Sequence, residues 1–357
     1  MNISAGDSVA IIRNNTIDIA KGIGILFVVF GHNALVEKGE LYRVIFSFHI
    51  PLFLFLSGVF FKPGESFRNM LTSKAGSILK PYFVVMGCLG IMKLVAGHES
   101  AMSFAYDLLY ATGSTVAWPP IWFLPYLFLT FAFTWLIVKL FSSRLGTPLR
   151  SGLVSASVLL LIGYLALKFQ ATMVNESGVL GKNEIPELPW SMDLLFIGSA
   201  YFILGHVLAE YVINFKPKSV WSLIAAFIFG SLHYFFDDTV DLNLRVYGNL
   251  LICTLQAISA IYIVLVLSKF LDTFEKIRRL FCYIGSGSLF ILIFHWPVQR
   301  KLFDVLQSIS DHQDTIAING AVAFLCGIMV PLMIWEMTKR LHWMSAILLP
   351  KNSAPNK

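Results

Sequence analysis

The chain has 357 residues, 57% of them hydrophobic and only 13% charged. Soluble domains carry about 25% charged residues, so the composition excludes an ordinary soluble enzyme and predicts an integral membrane protein. The formal charge of +6 calls for no nucleic-acid partner, because Lys and Arg gather on the cytoplasmic loops of membrane proteins.

A crossing takes ~20 apolar residues. Apolar runs between charged or turn-rich breaks predict an all-α membrane protein of about ten transmembrane helices. They lie near 17–36, 45–61, 79–96, 121–141, 151–168, 192–213, 220–236, 246–268, 281–299 and 316–341. We read 1–341 as one polytopic domain and 342–357 as a disordered cytoplasmic tail. The stretch from Ser100 to Ala117 is too broken to span and is expected at an interface or in a re-entrant loop. With the N-terminus in the cytoplasm, eighteen of the 27 basic residues fall inside. Lys38, Arg43, Lys168, Lys182, Arg245, Arg300 and Lys301 fall outside, and Lys21 and Lys93 lie within spans. The excess of inner positive charge predicts both termini in the cytoplasm.

The first span carries Asp18, Lys21 and His32. A charge at a helix centre costs at least ~2.5–3.5 kcal/mol, so such residues face protein or a wet cavity and take part in function. Eleven residues place Lys21 and His32 on one helix face, about 16 Å apart, and Asp18 is one turn from Lys21 and able to pair with it. The lack of a small-residue cleavage site, with Asp18 inside the run, predicts an uncleaved anchor rather than a signal peptide.

Phe48-His49-Ile50-Pro51 opens the second predicted span, and Phe294-His295-Trp296-Pro297 closes the ninth. Each sets a histidine beside a helix end or kink, either as a binding group or as a hydrogen-bonded tie between helices. His98, His206, His233, His312 and His342 fall on loops or span ends. The loop after span 2 carries Lys62, Arg68, Lys74 and Lys80 against Glu65. It either obeys the orientation rule or cradles an anionic cofactor. Farther on, Trp118 and Trp122 flank a Pro-Pro turn, as aromatic-belt anchors or as a platform for a sugar ring. The outer loops are acidic, with Glu176, Glu184 and Glu187 in one and Asp237, Asp238 and Asp241 in another; both read as solvated surface. Cys88, Cys253, Cys282 and Cys326 read as small core hydrophobes. No soluble-enzyme motif and no metal-ligand cluster is present, so no metal is expected.

Several of these blocks together resemble one family. They are Asp18-Ile19-Ala20-Lys21 running to His32, Phe46-Ser47-Phe48-His49-Ile50-Pro51-Leu52-Phe53 with Ser57-Gly58, Trp122-Phe123-Leu124, and Gly285 through Pro297. They resemble the membrane-bound O-acyltransferases of acyltransferase family 3, particularly the fucose 4-O-acetylase-like branch. Lys21 stands where many members carry Arg, and the 62–80 loop lacks the Arg pair that many carry.

The resemblance implies transfer of an acyl group, usually acetyl, from cytoplasmic acyl-CoA to a hydroxyl of an extracytoplasmic or lipid-linked sugar or polysaccharide. His32 would serve as general base or as covalent acyl carrier, with Lys21 and Asp18 supplying the electrostatics of the donor channel. Lys21, Arg68, Lys74 and Lys80 would hold CoA phosphates. His49, Trp122 and His295 would bind the acceptor, and His49 or His295 would support the oxyanion. The expected setting is a bacterial inner membrane, beside polysaccharide biosynthesis or export proteins. The competing class is a proton-coupled transporter of a small solute, since intramembrane Asp, Lys and His also build proton relays. A passive assembly partner in polysaccharide export would leave the aligned Lys21–His32 face unexplained.

Overall fold

Asn14 starts the first helix by accepting the Ile17 amide on its side chain, and the apolar run from Ile17 carries the helix to Gly31. In this computed structural model, residues 14–37, 39–141, 148–177, 187–309 and 315–350 are described. Arg13, Lys38, Arg144, Lys182, Glu184, His312, Lys351 and Lys357 lie outside them, as does the side chain of Glu176.

The described residues are mostly helical. In chain order they form α1 (Asn15–Gly31), α2 (Glu40–Phe46), α3 (His49–Val59), α4 (Phe67–Lys74), α5 (Lys80–Val95) and α6 (Ala101–Tyr110). There follow α7 (Phe123–Phe141), α8 (Pro148–Ser177), α9 (Leu195–Val207), α10 (Ala209–Ile213) and α11 (Ser219–Phe235). The last five are α12 (Leu250–Leu271), α13 (Glu275–Ser286), α14 (Ser288–Ile309), α15 (Ile316–Arg340) and α16 (His342–Leu348). One short antiparallel pair, β1 (Val240–Asp241) with β2 (Val246–Tyr247), closes the loop between α11 and α12.

Among the described residues, seven stretches are long and apolar enough to cross a membrane, and α13 with α14 makes an eighth if that pair, bent by 75°, is one span. The sequence predicted about ten. The two remaining predicted spans coincide with α1 and α11, each of 17 residues and so ~26 Å long. Side chains such as Leu223 (70% exposed) and Phe227 (74%) project from α11, as expected of a surface bathed in lipid tails. The protein is an integral membrane protein.

Three boundaries differ from the sequence reading. The second predicted span is interrupted at Ser47 and Phe48, so α2 and α3 are separate and His49 is the first residue of α3. Pro297 does not close a span: α14 runs through it to Ile309, because neighbouring helices support the freed carbonyl in a membrane protein. The expected disordered tail contains α16, whose end is held by the Lys80 ammonium donating to the carbonyls of Ala346 (2.6 Å) and Leu349 (2.8 Å). A cation there satisfies the orphan carbonyls of a helix C-terminus. The Ser100–Ala117 stretch holds only the ten-residue α6, ~15 Å long and unable to cross.

Glycines set two tight helix crossings. A Cβ on Gly58 of α3 would collide with the Phe202 carbonyl of α9, and one on Gly205 of α9 with the Phe55 carbonyl of α3. Gly22 of α1 and Gly285 of α13 meet the backbones of Phe281 and Asp18 in the same way. Without a hydrophobic drive between helices in lipid, such small-residue contacts carry the association. They seat α9 against α3 and α13 against α1.

Candidate functional site

His32 caps the C-terminus of α1, with its Nδ1 2.8 Å from the Val28 carbonyl. A carbonyl only accepts, so Nδ1 carries the hydrogen, and the neutral ring keeps an unprotonated Nε2. His49 is tied in the same way to Ile45 (3.1 Å), and His295 to Ile291 (2.7 Å) and Leu292 (3.0 Å). Each of these three ring nitrogens bonds a carbonyl three or four residues back, so helical spacing itself fixes the tautomer. The His295 Nε2 is buried with no hydrogen-bond partner among the described residues. The His32 and His295 rings meet edge to face at 5.2 Å, and Phe46 bridges His32 (5.6 Å) and His49 (4.5 Å).

Asn33 locks this corner. Its amide donates to the Gln299 side chain and to the Gly320 carbonyl, both at 2.9 Å, and Gln299 donates to the Val29 carbonyl at 3.0 Å. The buried network joins α1, α14 and α15 immediately beside His32.

A cavity of about 440 Å³ opens onto His32, His49, Trp122, Tyr42, Asp241 and Arg300. His295 stands behind His32 and does not line it. Trp122 closes the 3₁₀ turn Pro119–Trp122 and is buried against Tyr126, which makes it a wall of the cavity rather than a belt anchor.

Asp241 departs from the solvated-surface reading: it is 4% exposed and accepts a 2.5 Å hydrogen bond from the Tyr42 hydroxyl. Burial pushes its carboxyl up, opposed by the Tyr42 hydroxyl and the Leu244 amide, which donate to it. Glu187 departs likewise. Together with Asp193 it receives the buried guanidinium of Arg245, at 3.0 and 2.8 Å.

A second cavity, of about 490 Å³, is lined by Asp18, Lys21, Ser57, Lys74 and Ser77 among apolar neighbours. Lys21 lies 5.0 Å over the Phe60 ring and Lys74 4.1 Å over Phe131. The chain between Lys74 and Lys80 forms a π-helical turn, Ala75–Leu79, a feature often found at functional sites. Of the basic loop predicted to cradle a cofactor, only Lys74 lines this cavity. Arg68 is exposed on α4 and Lys80 is committed to α16, because the loop winds into helices that turn those two cations away.

Phe53, Phe123 and Leu292 belong to the walls of both cavities, with the two phenyl rings 6.4 Å apart. The cavities therefore stand back to back, one lined by His32 and His49 and the other by Lys21 and Lys74. Sequence reasoning missed Tyr42, Asp241 and Arg300. Tyr42 sits in the short α2, Asp241 in the loop between α11 and α12, and Arg300 in the part of α14 beyond Pro297, and they meet the histidines only through the fold.

The model of one protein family, described as an acyltransferase domain, matches residues 14–336. No curated protein and no solved structure matches the chain.

Proposed function

Since the chain belongs to acyltransferase family 3, we propose that it transfers an acetyl group from acyl-CoA to a sugar hydroxyl across the thickness of a bacterial inner membrane. One observation carries the reading: the cationic cavity at Lys21 and Lys74 and the histidine cavity at His32 share a wall of only three side chains. A thioester entering from the Lys21 side would reach that wall, and a hydroxyl entering from the other side would lie beside His32. The excess of basic residues at the Lys21 end supports a cytoplasmic donor side.

In this mechanism the acceptor O–H proton goes to the His32 Nε2 as the oxygen attacks the thioester carbonyl. The C–S bond then breaks, and His32 returns the proton to the departing thiolate. Trp122 offers a ring face to the sugar, and Asp241 with Tyr42 offers hydrogen-bonding groups to its hydroxyls. The fucose 4-O-acetylase-like resemblance supports a polysaccharide or its lipid-linked precursor as acceptor, with polysaccharide biosynthesis or export proteins as neighbours. The transporter reading draws no support from the family match.

The test supplies acetyl-labelled acetyl-CoA to membranes of a polysaccharide-producing host carrying wild-type or His32→Ala protein at equal abundance. Base-labile label in purified glycan should fall by at least about a hundredfold in the variant, the usual contribution of a general base. Equal labelling would remove His32 from the mechanism, and label trapped on the protein itself would make His32 an acyl carrier instead.

A further inference from the structure

A third cavity, of about 560 Å³, is lined by α13, α15 and the first residue of α1 and presents Arg278, Arg279 and Lys339 beside Tyr283 and Trp335. Ser286 lines both this cavity and the one that holds Lys21. The connection follows from the backbone. Gly285 lets α13 touch the Asp18 carbonyl of α1, and the 75° bend between α13 and α14 falls at Ser286–Ser288. The bend leaves Ser286 between the two spaces.

Three cations line this cavity and no carboxylate does. Glu275 pairs with Arg279, and Glu336 accepts from Lys339 (2.5 Å) and from the Tyr283 hydroxyl (3.0 Å), but neither acid lines the cavity. Arg278 is half-buried and forms no ion pair or side-chain hydrogen bond among the described residues. Its guanidinium is therefore uncommitted among the described residues, and the planar fork suits bidentate capture of phosphate. Tyr283 and Trp335 stand 5.3 Å apart, with the Lys339 ammonium 3.8 Å over the indole. Aromatic rings next to cations are what a nucleotide needs: a face for the base and charge for its phosphates.

We infer that this cavity binds the phosphorylated nucleotide end of the acyl-CoA donor, with the 3′-phosphate on Arg278 and Arg279, while the pantetheine arm runs past Ser286 into the Lys21 cavity. The inference rests on acyl-CoA being the donor. It assigns the phosphates to α13 and α15 rather than to the loop of Arg68 and Lys80.

The experiment measures binding of labelled CoA, dephospho-CoA and acetyl-pantetheine to purified protein in phosphatidylcholine nanodiscs. It compares wild type with the Arg278→Ala/Arg279→Ala double variant. The double variant should bind CoA about tenfold or more weakly, the equivalent of one lost charge-assisted contact. It should also lose the preference for CoA over dephospho-CoA and keep its affinity for acetyl-pantetheine. Should the double variant fail to fold, CoA must still shield Cys282, which lines the cavity, from maleimide in wild-type protein, read on its peptide by mass spectrometry, while acetyl-pantetheine does not.

Unchanged CoA affinity in the folded double variant, or no shielding of Cys282, overturns the site. If only capture by phosphatidylglycerol nanodiscs falls in the variant, the cavity is an anionic-lipid site and the inference fails. Absence of CoA binding to wild type, with acetyl-pantetheine also unbound, would instead sink the acyl-CoA reading on which the inference rests.

Discussion

His32, His49 and His295 each anchor Nδ1 on a carbonyl three or four residues back and leave Nε2 without a hydrogen bond among the described residues, whereas His233 spends both nitrogens, on the Phe229 carbonyl (2.8 Å) and the Ser47 hydroxyl (3.2 Å). That difference separates candidate reactive histidines from a structural tie, and no residue-by-residue reading of the chain contains it. Asp241 makes a comparable point. Its burial raises the carboxyl, so the folded state binds the proton more readily than the unfolded chain. The ionised group therefore costs the fold most above its raised value, and that cost shrinks as pH falls below it and is gone below the carboxyl's ordinary value. Asp241→Asn, which keeps an acceptor for Tyr42, should raise the thermal midpoint at pH 8, with the gain shrinking toward zero on acidification. A gain of equal size at every pH would show that the carboxyl is not responsible.

Helix ends and crossings set the scale above. The apolar runs and the Lys21–His32 spacing were legible because hydropathy and the 3.6-residue period are local properties. The break at Ser47, the continuation of α14 through Pro297 and the ordering of α16 were not, since each depends on what packs alongside. Gly58 and Gly205 illustrate the cost of such packing. Gly58→Ala drives a methyl into the α9 backbone and should lower stability by about 1–3 kcal/mol, the usual penalty of overpacking. Gly87→Ala, with open space around its α5 position, should leave it unchanged or slightly higher. Thermal unfolding in detergent compares the two, and equal midpoints would refute a backbone-limited crossing.

For the whole molecule, what matters is that two cavities meet at Phe53, Phe123 and Leu292 under a roof braced by one ion cluster. Arg245, held in a left-handed conformation with φ of 58°, ties Glu187, Ser191 and Asp193 to the loop that carries Asp241 and Asn243. Its side chain is 1% exposed. Arg245→Met would strand two shielded carboxylates, a loss of about 3–5 kcal/mol. Protease cleavage within 187–194 and 236–249 should rise in the variant, together with the KM for the acceptor. Unchanged cleavage would mean that the loops stand without the cluster.

Composition, periodicity and charge asymmetry were enough by themselves to predict a helical membrane protein with a polar face from Lys21 to His32. Those signals survive in one dimension because water and lipid act on each segment separately. The pairing of Tyr42 with Asp241, the retirement of Lys80 to cap α16, and the gathering of Arg278, Arg279 and Lys339 beside the Lys21 cavity were decided only in three dimensions. Tyr42 and Asp241 stand 199 residues apart, and a contact at that separation exists only once the helices have packed.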